Sequence, residues 1–150
     1  MNYPRYALEA STDLSLFEFV SQGKKGAIVK LIQFSRTEIY TPFGIAYNLA
    51  FGDKKEDGSI DDTTISENGD RDKILTTVAI ATYEYTAKYF GRPIFFRGSD
   101  QLRTRLYRMA ISLNIEELVS DFAVYGVTKG FKLTHFSSNG NFTGFLVIRK

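Results

Sequence analysis

The 150-residue chain contains no cysteine, no tryptophan and a single histidine. Without cysteine there can be no disulfide bond, no thiol nucleophile and no thiolate metal site. His135 falls in the alternating segment "FKLTHF", which is typical of a strand, and no serine occupies a nucleophile-elbow motif. The sequence therefore offers no nucleophilic triad, and nothing in it indicates a cofactor.

Long apolar runs are also missing. No segment approaches the roughly 20 apolar residues that cross a bilayer, and the first residues lack the basic-then-apolar pattern of a signal peptide. We therefore expect a soluble, cytoplasmic protein that does not act at a membrane. A chain of this length is ordinary for one domain, so a single domain over residues 1–150 is predicted.

The predicted strands are grouped before and after the helices. Runs rich in β-branched and aromatic residues predict strands at 6–10, 16–21, 27–36, 47–52, 94–96, 122–127, 131–137 and 142–149. The glycine-bounded turn "QGKKG" predicts an antiparallel hairpin over 17–34, and Asn139-Gly140 predicts a second hairpin between the last two strands. This order favours an α+β domain, with a mostly antiparallel, curved sheet and two principal helices packed on one face.

The first helix is predicted over 71–90. Asp70 is its candidate N-cap, and Gly91 with Pro93 stops it. Its main apolar stripe consists of Ile74, Val78, Ala81 and Tyr85, and a narrow polar arc consists of Lys73, Thr77, Glu84 and Lys88. A helix with so little polar surface is expected to be covered on most sides.

The second helix follows the short strand 94–96 and the breaker Gly98-Ser99-Asp100. At 3.6 residues per turn, one face carries Leu102, Leu106, Met109, Ala110 and Leu113, and we expect that face to pack on the core. Arg105 and Arg108 then face solvent on the opposite side. Asn114 is a candidate N-cap for a further short helix that ends before the strand 122–127.

The segment 97–108 allows two interpretations. The free N–H groups and the dipole of the helix N-terminus favour an anion, so a phosphate or carboxylate can bind there with nearby arginines. Alternatively, Ser99 or Asp100 only caps the helix and the arginines are solvated. The candidate ligand-binding residues are Arg97, Ser99, Arg103, Arg105, Tyr107 and Arg108, with Tyr107 as a stacking side chain.

The charges are unevenly distributed. Residues 1–90 carry 10 lysines and arginines against 13 acids, whereas residues 91–150 carry 9 against 4. Most of the acids of the first part lie in the loop 53–72, where Asp61, Asp62 and Asp70 are the candidate ligands of a divalent ion. A solvated loop, or one that docks on the arginines, explains the same pattern without a metal site.

Three segments resemble a known family. They are "NGDRDKILTTVA" (68–79), "FFRGSDQLRTRLYRMAI" (95–111) and "FAVYG" (122–126). They are similar to a family of small, single-domain bacterial proteins of unknown function, found mainly in the Bacteroidota. The resemblance implies a bacterial, cytoplasmic origin and no particular activity.

Three functions compete at this point. The first is a non-enzymatic binding domain that recognises an anionic partner, either nucleic acid or a phosphorylated ligand, through the arginines. The second is a metal-dependent phosphoesterase or nuclease of a toxin or defence system that uses the acidic loop. The third is a protein-interaction domain with an exposed apolar patch. The sequence does not predict the oligomeric state.

Overall fold

The computed structural model describes residues 3–61 and 67–150. In chain order the elements are β1 (Glu9–Ala10), β2 (Leu16–Gly23), β3 (Gly26–Thr41), β4 (Gly44–Lys54), β5 (Ile60–Asp61), α1 (Arg71–Lys88), β6 (Ile94–Phe96), α2 (Gln101–Leu113), α3 (Ile115–Asp121), β7 (Phe122–Thr128), β8 (Lys132–His135) and β9 (Gly144–Arg149). The pairs β1–β2, β2–β3, β4–β5, β6–β9, β7–β8 and β7–β9 are antiparallel, whereas β4 and β6 are parallel. The predicted α+β class with a mostly antiparallel sheet is confirmed.

The chain forms two compact units, and β3 and β4 contribute residues to both. Unit 1 comprises residues 1–35 and 49–88, and unit 2 comprises residues 36–48 and 89–150. The single domain over 1–150 and the packing of two helices on one face stay predictions. None of the helices within the described residues is long and apolar enough to cross a membrane.

Unit 1 is a sheet covered by α1. The hairpin β2–β3 pairs Leu16 with Gln33 at one end and Gly23 with Gly26 at the other, which confirms the predicted hairpin over 17–34. β1 adds to β2, and β5 adds to β4. The ring of Phe34 on β3 stacks on Tyr85 of α1, with centroids 4.1 Å apart. This contact fixes which face of the hairpin is buried under the helix.

The apolar stripe predicted for α1 is confirmed. Its four members, Ile74, Val78, Ala81 and Tyr85, are all buried. Thr77 was wrongly assigned to the polar arc, because it is fully buried. Its hydroxyl donates to the carbonyl of Lys73 at 2.7 Å, four residues back, and accepts from the N–H of Tyr6 at 2.9 Å. A threonine can be buried in a helix when its hydroxyl is satisfied in this way.

Unit 2 contains the strand order β4-β6-β9-β7-β8. Its apolar core includes Ala46, Phe95, Val127 and Leu146. The predicted hairpin around Asn139-Gly140 is wrong, because β8 and β9 lie on opposite sides of β7 and do not pair with each other. The tight turn is instead the one between β7 and β8, where Gly130 and Phe131 have positive φ. The local turn motif does not form a hairpin here because β8 and β9 instead pair with the two edges of β7.

The face assigned to α2 is also wrong. The buried residues of the helix are Thr104 and Ile111, whereas Leu102, Met109 and Leu113 are 55%, 40% and 65% exposed. Both sides of this helix carry apolar residues, so periodicity alone cannot choose between them. Thr104 lies inward because its hydroxyl is satisfied locally, accepting from the N–H of Gly98 and donating to the carbonyl of Asp100, both at 3.0 Å.

Substitutions on the two faces of α2 are expected to change the free energy of unfolding by different amounts. Ile111→Ala is expected to lower the free energy of unfolding by about 2–5 kcal/mol, because it removes a buried branched side chain. Met109→Ala is expected to change it by less than about 1 kcal/mol, because the methionine already contacts water. The free energies of unfolding of both variants and of the wild type are measured by urea denaturation. Equal losses would mean that the exposed face is covered in solution.

Candidate functional site

The arginine-bearing segment, which we call the loop-helix (residues 97–113), is held by its own backbone. The side chain of Asp100 accepts the N–H of Arg103 at 2.8 Å and is the N-cap of α2. Gly98 lies so close to the first turn that an added Cβ would come within 2.3 Å of the backbone nitrogen of Thr104. Only glycine fits there, and the loop therefore enters the helix in one fixed way.

The same cap changes what the helix N-terminus can bind. One of the N–H groups that would hold an anion already has a carboxylate partner, and this carboxylate carries negative charge at the helix end. Asp100 thus fulfils the capping role considered for Ser99 or Asp100. An anion near this loop has to be bound by arginine side chains instead.

The structure separates the six predicted binding residues into two groups. Arg97, Ser99 and Arg105 are exposed, whereas Arg103, Tyr107 and Arg108 are half-buried. The expectation that Arg108 faces solvent is wrong, because its Nη1 donates to the carbonyl of Gly140 at 2.8 Å. Tyr107 meets the ring of Phe96 edge-on, with centroids 5.3 Å apart. These two side chains hold α2 to its own unit.

Two of the three acidic residues proposed as metal ligands, Asp61 and Asp70, lie within the described residues. Asp61 lies in β5 opposite Asp53, and Asp62 falls outside the described residues. Asp70 accepts hydrogen bonds at Oδ2 from the hydroxyls of Tyr6 and Ser21. Within the ranges 3–61 and 67–150, no three histidine or acidic side chains are arranged to hold a metal ion.

Asp70 belongs instead to a buried polar network in unit 1 whose other centre is Asn68. Asn68 is only 2% exposed. Its Nδ2 donates to Ser21 Oγ at 3.0 Å and to the carbonyl of Gly26 at 2.9 Å, and its Oδ1 accepts the N–H of Lys25 at 2.6 Å. The network joins the β2–β3 turn to the start of α1. The run Asn68-Gly69-Asp70 lies in the segment for which the sequence leaves open a metal site, a solvated loop or docking on the arginines, and none of these interpretations predicts a buried network.

A buried ion pair was not predicted from the sequence. Lys30, within the apolar run of β3, is 4% exposed and forms an ion pair with Asp53 of β4. A buried lysine needs such a partner, because the charged group loses its hydration. No motif in the sequence predicts which acid lies opposite, since that depends on the strand register.

Tyr6 is the member of the Asn68 network whose pKa is raised. Burial raises the pKa of its phenol, and the hydrogen bond to Asp70 and the negative charge of that carboxylate raise it further. The ring also stacks on Phe19, with centroids 5.5 Å apart, and Lys73 Nζ lies 4.2 Å from its centroid. The side chain of Tyr6 thus helps to attach the N-terminal segment to the rest of unit 1.

Comparison with known proteins assigns the chain to a family. A family model described as "Family of unknown function (DUF6934)" matches residues 2–150. The chain belongs to this family. Its predicted membership of a family of unknown function is confirmed. The other comparisons found no similar protein of curated function and no similar solved structure.

Asn68 offers a direct test of the network in this family member. Asn68→Ala removes the partners of a buried hydroxyl, a carbonyl and an N–H group, and we expect it to lower the free energy of unfolding by at least about 2 kcal/mol. Asn139→Ala is the matched control, because Asn139 is exposed, and it should stay within about 0.5 kcal/mol of the wild type. The free energies of unfolding of the two variants are measured by denaturant melts. Equal losses in Asn68→Ala and Asn139→Ala would contradict the structural role of Asn68.

The raised pKa of Tyr6 predicts how the free energy of unfolding depends on pH. Its pKa in the folded state is raised, so its contribution is complete below the unfolded value of about 10 and is lost as the pH rises through the folded value. Tyr6→Phe lacks this titration. The stability difference between wild type and Tyr6→Phe should therefore be constant below about pH 10 and shrink as the pH rises above it, measured by urea denaturation at each pH. Parallel curves would show that the phenol titrates equally in both states.

Proposed function

We propose that the chain is a non-enzymatic binding domain that recognises an anionic partner through the loop-helix, and that this partner is an acidic protein surface. The observation that carries the proposal is the outer face of α2. This face presents exposed leucine and methionine side chains beside exposed Arg105, and α2 contains three arginines and no acid.

The apolar part of this face is contiguous. We call it the α2 seam, and it consists of Leu102, Leu106, Met109 and Leu113. Spacings of four, three and four residues place all four side chains on one side of a helix. Three of them are exposed and Leu106 is half-buried. A continuous exposed apolar strip next to charged residues is the usual composition of a protein-binding surface.

The arginines define the chemistry of the partner. Arg97 lies in the loop before α2, Arg105 lies one turn into the helix, and both are exposed. Charges at the rim of an apolar contact contribute mainly to partner choice and to the association rate. An apolar seam with positive borders thus fits an amphipathic helix or surface whose own apolar strip is bordered by glutamate or aspartate.

Nucleic acid fits this surface less well. Binding to single strands uses aromatic rings that are open to stacking, whereas Tyr107 is half-buried against Phe96. Asp100 adds a negative charge at the helix end, where a phosphate would otherwise bind. Apolar side chains of the α2 seam have no partner along a phosphate backbone.

The phosphoesterase hypothesis gains no support from the described residues. It needs Asp61, Asp62 and Asp70 to converge, but Oδ2 of Asp70 is occupied by two hydroxyls. A metal ligand of this kind would have to give up both of these bonds. The hypothesis stays a prediction from the sequence.

The test is a binding titration with a designed peptide. A labelled helical peptide with leucines in heptad positions and glutamates at the flanks is titrated by fluorescence anisotropy. The double variant Arg97→Gln and Arg105→Gln should weaken binding by about three- to tenfold, because exposed ion pairs contribute modestly. Lys129→Gln with Lys132→Gln is the matched control, because both lysines are exposed but lie near β8.

Two further arms use other ligands. The same peptide with lysine in place of glutamate should not bind measurably, because its charges repel the arginines. Labelled single-stranded and duplex oligonucleotides should bind more weakly than the acidic peptide. An oligonucleotide that binds more tightly, with a steep salt dependence, would overturn the choice of a protein partner.

A further inference from the structure

We infer that the partner of the α2 seam is a second copy of this chain, whose α2 lies antiparallel to the first across a twofold axis. This inference rests on the proposed function, because it identifies the acidic partner of the same surface. It is carried by the spacing of the seam, by the direction of the helix dipoles and by the placement of charges around α2.

The spacing of the α2 seam is that of a coiled-coil strip. Intervals of four, three and four residues are those of alternating a and d positions in a heptad repeat. The middle of the seam lies between Leu106 and Met109. Antiparallel pairing about that point therefore places Leu106 of one copy on Met109 of the other, and Leu102 on Leu113. Each layer then combines one a position with one d position.

The charges select the antiparallel direction. Exposed Arg97 lies at the start of the loop-helix, whereas Glu116 and Glu117 lie in the first turn of α3, directly after α2. Both glutamates are exposed. Antiparallel pairing brings the arginine end of one copy beside the glutamate end of the other, at both ends of the interface. Parallel pairing would place arginine against arginine.

The helix dipoles favour the same direction. Each helix end carries a partial charge, positive at the N-terminus and negative at the C-terminus, and antiparallel helices place opposite ends together. The second copy thus supplies an apolar strip along the α2 seam and, at each end of the interface, the glutamates of α3.

The expected dimer is weak. A 13-residue helix is about 20 Å long, so the α2 seam alone buries less area than a permanent interface needs. Val119 of α3, which is 41% exposed, lies next to the glutamates and can extend the contact. The dimer should therefore form and dissociate with concentration, and cross-linking is the suitable way to trap it.

Because the chain contains no cysteine, each introduced thiol is unique. We expect an equimolar mixture of Leu102→Cys and Leu113→Cys to form disulfide-linked dimers under mild oxidation, seen on non-reducing gels. Either variant alone should form few, because identical positions in an antiparallel pair lie about 16 Å apart along the axis, too far for a disulfide. Efficient cross-linking of each single variant would show parallel pairing and overturn the inference, as would no cross-linking in the mixture.

Sedimentation velocity over a dilution series gives an independent readout. The wild type should sediment faster as its concentration rises. Met109→Lys with Leu113→Lys should abolish this dependence while leaving the circular dichroism melt unchanged, since both positions are exposed. Tyr40→Lys is the matched control, because Tyr40 is 78% exposed and lies on β3, and it should associate like the wild type.

The acidic peptide separates the two proposals. Wild-type protein that stays monomeric at all concentrations but binds the peptide would overturn the second copy as partner and keep the proposed function. Protein that neither associates nor binds the peptide would overturn both. Protein that associates should release its second copy when the peptide is added, because both would occupy the α2 seam.

Discussion

The buried amide of Asn68 constrains how the elements of unit 1 meet. An amide away from water has to satisfy its donors and its acceptor within the protein, and here it does so with Ser21, Lys25 and Gly26. The backbone of Asn68 also comes so close to the hairpin that a Cβ on Gly23 would lie 1.8 Å from its carbonyl oxygen. The β2–β3 turn and the start of α1 are therefore positioned together, and the run Asn68-Gly69-Asp70, one of the segments that resemble the family, has a structural role.

A similar device fixes the loop-helix in unit 2. Gly98 allows the loop to approach the first turn, Thr104 joins the two through its hydroxyl, and Asp100 caps the helix. Inward-facing Ile111 and half-buried Arg108 then secure the helix to its unit. These contacts lie on one side of α2, whereas Leu102, Met109 and Leu113 on the outer face are exposed. The proposed binding function would explain why these apolar side chains face water.

The parts of the fold that could be predicted are those fixed by neighbours in sequence. The hairpin over 17–34 follows from a glycine-bounded turn between apolar runs, and the α1 stripe follows from helical period. The missed features depend on contacts distant in sequence. The insertion of β7 between β8 and β9 overrides the turn signal of Asn139-Gly140, and the ion pair of Lys30 with Asp53 depends on strand register. In the candidate site, the sequence located the arginines, but the inward side of α2 depends on Thr104 having a partner for its hydroxyl.

The face through which α2 packs determines which kind of partner its outer face favours. A helix packed through Leu106 and Met109 would leave mainly arginines outside, and such a surface favours phosphates. A helix packed through Thr104 and Ile111 leaves leucines and a methionine outside as well, and such a strip favours another apolar strip. Leucines open to water also invite non-specific association, which bordering like charges oppose. In the proposed function, Arg105 beside the α2 seam would therefore favour a partner that brings carboxylates close to the seam, because a carboxylate compensates the arginine for the hydration that it loses on contact.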